Sequence, residues 1–217
     1  MIEEFPRIFP TVAGLFILSM LPFFVVVTTS FIKITIVFFL LRNAMGVQQA
    51  PTSFTLNSLA LILTLFIISP VWMRVYDVAI ENNLKFDTLQ DAQDAYEILH
   101  VPVKQFLNKF AFEKEKTFFI SAAKELWPKD MHGYLSSDSM IIIIPAFVVS
   151  EIGRAFQIGF LLFLPFAVVD MVVSNILLAL GAMMVPPTLI SLPAKLFLFV
   201  AADGWARIIH GLMISYI

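Results

Sequence analysis

The sequence predicts an all-α protein of membrane type: kinked apolar helices in two hairpins, with a small helical insertion outside the membrane. Three observations carry that expectation. Hydrophobic residues fill 59% of the 217 positions and charged residues 14%, whereas a soluble domain carries about 25% charged residues. One soluble core cannot hide that much apolar surface, so lipid or a large protein assembly must cover the rest. The apolar residues also fall into four long blocks. Finally, the charge is concentrated: eight of the 14 Lys/Arg and eleven of the 16 Asp/Glu lie between Arg74 and Ser139. The division that follows is a hairpin over 1–76, a polar helical insertion over 77–139 and a second hairpin over 140–217.

The chain opens on MIEEFPRIFP. Glu3, Glu4, a single Arg7 and two prolines are not the basic start of a cleavable signal, and the apolar run from Gly14 is too long for a signal core. The segment therefore reads as retained. The first block spans Gly14–Leu41 and is interrupted by Pro22 and by Thr28-Thr29-Ser30; it also holds Lys33. The second, Phe54–Met73, has the ~20 residues that cross a bilayer as a helix. The third, Met140–Val169, holds Pro145 and Pro165. The fourth, Met171–Val200, holds Pro186, Pro187 and Pro193. Prolines and charges at membrane depth are tolerated where protein satisfies the freed backbone groups. These blocks thus look built for burial in an assembly rather than for lipid all round.

In the insertion, FDTLQDAQDAYEILH has helical spacing, with Leu89, Ala92, Tyr96 and Leu99 on one face. Asp87 is placed to cap this helix and Pro102 to end it. VKQFLNKFAF and EKTFFISAAKELW read as two further amphipathic helices, the latter stopped by Pro128, and MHGYLSSDS as a loop. The connection RNAMGVQQAPTS carries Arg42 and no acid, with Lys33 nearby. The positive-inside rule puts it on the cytoplasmic side, and the insertion and both ends of the chain opposite.

Enzyme chemistry finds no support. There is no phosphate-cradling G-x-x-x-x-G-K-[ST] and no zinc-binding H-E-x-x-H; His100, His132 and His210 are scattered, and no cysteine is present. No cofactor or metal is implied, and a net charge of −2 argues against a nucleic-acid partner. The informative charges are those inside apolar blocks: Lys33, Glu151, Arg154, Asp170, Lys195, Asp203 and Arg207. Each costs about 3 kcal/mol at a bilayer centre, so each must face protein or water and find a partner. Glu151 and Arg154 share a helix face, as do Asp203 and Arg207. Lys195 is a second candidate partner for Glu151, across an interface. Ala146 with Ser150 and Ala155 with Gly159 are small-residue pairs that let helix backbones approach.

The stretch LALGAMMVPPTLISLPAKL at 178–196 joins soft side chains to helix breakers. Gly181 permits a bend and Pro186-Pro187 cannot continue a helix, so a turn is expected there. Met183 and Met184 sit on it. Methionine is unbranched and polarizable and repacks readily. Several copies of this turn around an axis would close an apolar, deformable seal. A small-solute transporter or ion-channel subunit would also explain intramembrane charges and broken helices, but the two halves show no internal repeat.

Several stretches together resemble the FliP/SctR family, core export-apparatus proteins of bacterial flagella and type III secretion injectisomes. They are TTSFIKITIVFF followed by LLRNAMGVQQAP at 40–51, IPAFVVSEIGRAFQIGFLLFLPFAVVDMVVSNILLALGAMMVPP at 144–187, and ISLPAKLFLFVAADGW at 190–205. The resemblance covers nearly everything outside the insertion, and the short start of the chain is more like the injectisome branch. It implies a homopentamer that assembles with hairpin subunits of the FliQ/SctS kind, a FliR/SctT-type subunit and a FlhB/SctU-type switch protein. Such a gate passes unfolded secreted proteins across the bacterial inner membrane, and its assembled form lies on the periplasmic side. The family's methionine gasket maps onto Met183 and Met184, with Gly181, Pro186 and Pro187 forming its turn. Ala182 departs from the family's Gly-Met-Met-Met pattern. Glu151, Lys195 and Asp203 match the family's motif charges. With Arg154 they are expected to serve buried pairing and subunit assembly, Glu151 with Lys195 above all.

Overall fold

The computed structural model describes residues 5–47, 49–82, 89–182 and 184–217, and the side chains of all of these except 5–11, 13, 17, 21, 89 and 92. The all-α expectation holds: among the described residues there are helices, turns and no strand. In chain order the helices are α1 (Phe5–Thr28), α2 (Phe31–Met45), α3 (Ser53–Glu81), α4 (Leu89–Phe110), α5 (Glu113–Leu126), α6 (Met140–Ala179), α7 (Pro187–Ala201) and α8 (Gly204–Ile214), with a short 3-10 turn at Lys129–Tyr134. α3 and α6 are each long and apolar enough to cross a membrane. The bent pairs α1/α2 and α7/α8 reach that standard jointly.

Polar residues set the first bend. The axes of Pro22–Thr28 and α2 meet at 82°. The Thr28 and Thr29 hydroxyls donate back to the carbonyls of Phe24 and Val25, satisfying helix-end acceptors while the chain turns. α2 then runs through the middle of the molecule. Ile34, Val37, Phe38 and Leu41 are sealed from solvent, and α2 ends at Gly46, whose φ of 76° closes it in a left-handed cap. Against α2 lies α6, with Gly159 under Leu40. A Cβ on Gly159 would sit 2.2 Å from Leu40 Cδ1, so only glycine permits this approach. The second bend, 60° between α7 and α8, is made by Asp203 at φ 52° and by Gly204, which lies beneath the Phe199 ring.

Three apolar clusters hang on α2 and α6. One joins Ile34, Phe38, Leu56, Ala60, Ala155 and Leu212. A second joins Leu107 and Phe110 of the insertion to Ile143 and Phe147. A third joins Leu41, Met45, Phe166 and Phe199. The insertion is therefore packed onto α6, not suspended from it.

Three expectations are corrected by the structure. Pro102 does not end a helix: α4 continues through it to Phe110. An internal proline costs about 3 kcal/mol, and the burial of Ala95, Leu107 and Phe110 along one helix outweighs it. The inward face also differs from the expected one. Tyr96 is 63% exposed and Ala95 is the buried position, while Tyr96 stacks on His100. The third and fourth apolar blocks do not divide at Asp170 either. α6 is one helix of 40 residues through Pro145 and Pro165, and the break falls at 180–186. The expected cap at Asp87 lies outside the described residues.

Candidate functional site

Three features carry the chemistry: two buried ion clusters and the turn after α6. The first cluster centres on Glu151, whose side chain is 0% exposed. The three-residue helical spacing brings Arg154 to it, Nη1 donating to Oε1 at 2.6 Å. Across from α6, Lys33 Nζ of α2 lies 3.2 Å from Oε2 and is equally buried. The Tyr216 hydroxyl donates to the same Oε2. Burial, and then the adjacent carboxylate, push the Tyr216 phenol far above its ordinary pKa, so it keeps the proton it donates. Arg154 also donates to the Phe110 carbonyl at 2.5 Å and lies over the Phe112 ring. One position before Glu151, Ser150 Oγ accepts from the Phe112 amide at 2.9 Å. One carboxylate thus gathers α2, α6, the α4–α5 corner and the residues after α8. Burying opposite charges away from water is offset only where further hydrogen bonds satisfy them, as Arg154 and Tyr216 do for the Glu151 carboxylate.

The second cluster ties α7 down. Lys195 Nζ donates to Asp170 Oδ2 at 2.6 Å and to the Ala44 carbonyl at 3.1 Å. Ser191 Oγ donates to Asp170 Oδ1 at 2.6 Å. Ala44 lies in the last turn of α2, where the helix dipole favours a cation. Lys195 is buried, but the Asp170 side chain is 37% exposed.

Between the two arms that this second cluster joins runs the turn. Gly181, at φ 72°, follows α6 while the Ala182 amide reaches back to the Leu177 carbonyl at 2.9 Å, a helix ending that favours glycine. Pro186 precedes α7 and Pro187 is its first residue, where the missing N–H costs nothing. Met184 is 98% exposed. Met183 lies outside the described residues.

Each expected charge therefore has a definite place. Glu151 and Arg154 meet. Glu151 and Lys195 do not meet within the chain, because Lys33 and Tyr216 take the first and Asp170 the second. Asp203 and Arg207 are both exposed and form no ion pair with each other: the left-handed backbone of Asp203 places it before α8 with no side-chain cap. Residue-level reading missed the roles of Tyr216 and Ser191. Neither carries a charge, and Tyr216 meets Glu151 across 65 positions, beyond any local periodicity.

Long apolar helices bent at polar breaks, buried ion pairs between helices and a turn that exposes Met184 define a helical protein of membrane type. The chain belongs to the FliP family, whose model matches residues 15–212. It is similar to the probable translocation protein y4yL of Sinorhizobium fredii, 44% identical over all of this chain and 97% of that protein. It is similar also to the Yop proteins translocation protein R of Yersinia pestis, 47% identical over 92% of each chain. The flagellar biosynthetic protein FliP of Caulobacter vibrioides is 40% identical over 97% of this chain and 77% of its own length. Identity, and the share of the relative's own length that is matched, are higher for the two translocation proteins than for the flagellar one, which bears out the injectisome-branch reading.

Proposed function

We propose that this chain is a pore-forming core subunit of a type III export gate in the bacterial inner membrane, through which unfolded secreted proteins pass. It acts as a conduit and catalyses no reaction. The observation that carries this reading is the mismatch between α6 and any bilayer. Forty helical residues span about 60 Å, twice the ~30 Å hydrocarbon core. Its most apolar 18-residue window is only 6% buried within the subunit. Apolar helix beyond the bilayer needs protein to cover it, and further copies with partner subunits supply that cover.

The reading assigns copies of this chain to a homopentamer, joined by FliQ/SctS-type, FliR/SctT-type and FlhB/SctU-type subunits, with the assembled body on the periplasmic side. Residues 77–139 form its extramembrane part. In this arrangement the Met183–Met184 turn lines the pore, shaped by Gly181, Pro186 and Pro187, and its thioethers close a seal that repacks around substrate. Arg154 and Asp203 reach the surface, where a neighbouring copy meets them. Pairing of Glu151 with Lys195 of another copy requires each to exchange its partner within the chain.

The test is native mass spectrometry of a mild-detergent extract after co-expression with the neighbouring export subunits. A defined complex with several copies of this chain is expected; a lone monomer or dimer overturns the proposal. Replacing Met183 and Met184 by alanine is expected to produce ion leak in cells carrying the assembled complex.

A further inference from the structure

Lys33 is one of the largest fully buried side chains among the described residues. Its ammonium meets Glu151 as an ion pair without hydrogen-bond alignment, and among the described residues no other oxygen accepts from it. An ammonium so placed needs a further source of negative potential. The face of an aromatic ring supplies one, and Nζ lies 3.5 Å from the centroid of the Tyr216 ring.

We infer that Tyr216 is the positioning residue of the buried Lys33–Glu151 pair and that it locks the α4–α5 corner of the insertion onto α2 and α6. Four contacts converge on this assignment. Its hydroxyl donates to Oε2, the oxygen that faces Lys33, while Arg154 occupies Oε1. Its ring covers the ammonium. The same ring meets Phe110 edge-on at 5.0 Å and stacks on Phe106, both on α4. Beside it, Lys109 Nζ donates to the Ile217 carbonyl at 2.9 Å. The corner is held from the other side as well, Phe110 by Arg154 and Phe112 by Ser150. The path from α4 through Tyr216, Glu151 and Arg154 back to Phe110 is therefore closed. Phenylalanine supplies only the ring and serine only the donor; tyrosine supplies both.

Hydrogen exchange on the full-length chain in mild detergent tests the lock. Tyr216→Phe keeps the ring and removes the donor. It is expected to raise exchange several-fold in a peptide spanning Phe110–Phe112, while peptides from the middle of α3 keep wild-type rates. Arg154→Lys opens the path from its other side and is expected to raise exchange in the same peptide. With Glu151→Gln already present, Tyr216→Phe is expected to add less than half of its effect in the wild-type background. Unchanged exchange at the corner in Tyr216→Phe overturns the inference. So does an equal rise in every helix, which marks general destabilisation, and so does full additivity with Glu151→Gln.

Discussion

The Glu151 and Asp170 clusters use the same chemistry in different surroundings. Both set a carboxylate of α6 against a lysine of another helix and add a hydroxyl donor. Lys33 and Glu151 are wholly enclosed, whereas Asp170 keeps more than a third of its side chain in contact with the surroundings. The enclosed pair cannot lose one member without stranding the other in low dielectric. Water or a partner group can reach Asp170 when Lys195 lets go. The first cluster therefore behaves as a fixed joint between helices. The second behaves as a releasable strut between the two arms that flank the methionine turn.

The most severe way to break this contrast is Glu151→Ala. Stranding Lys33 is expected to destabilise the fold by about 3–5 kcal/mol, read as a large fall in thermal midpoint in detergent. Lys33→Met combined with Glu151→Leu is expected to recover part of that loss, since it removes the stranded ammonium while Tyr216 and Arg154 still lack their acceptor. If the double variant is as unstable as the single, the fixed-joint reading fails. Gly159→Ala probes the seam that encloses the same pair. The added Cβ must push Leu40 aside, at a cost of about 1–3 kcal/mol. Leu40→Ala introduced alongside is expected to return part of it, measured by the same unfolding curves.

Asp170→Asn sharpens the comparison from the other side. The loss is expected to be about 1 kcal/mol, within the range for partly exposed pairs. Spin labels at the exposed Leu180 and Leu189, introduced into a chain that has no native cysteine, are expected to show a broader distance distribution. A distribution as narrow as that of the unaltered chain would remove the strut. The smallest effect is expected at the surface, where Lys104 meets Asp138. Lys104→Ala is expected to change stability by less than about 1 kcal/mol, and by less still at high salt.

Much of the fold was legible before any coordinates. The second apolar run, the polar interruption at Thr28-Thr29-Ser30 and the glycine-proline turn at 181–187 all act through local backbone chemistry, and each stands where the sequence puts it. Pro102 misled for a definite reason. Its local cost is real, but burial of Leu107 and Phe110 is a tertiary gain that no window around Pro102 contains. Asp170 misled in the same way. A charge reads as a boundary, yet Ser191 and Lys195 of another helix make it a comfortable position inside α6.

The sequence by itself determined the class of this protein, the number of its apolar segments, the place of its methionine turn and the rule that its buried charges must pair. Each follows from composition or from groups a few residues apart, where the chain's own geometry decides. Only the tertiary structure decided which charge takes which partner. Lys195 reaches a carbonyl 151 positions away and Tyr216 a carboxylate 65 positions away. Several oppositely charged pairings satisfy the same electrostatic requirement, and the packing of α2 against α6 selects one of them by bringing particular side chains within reach.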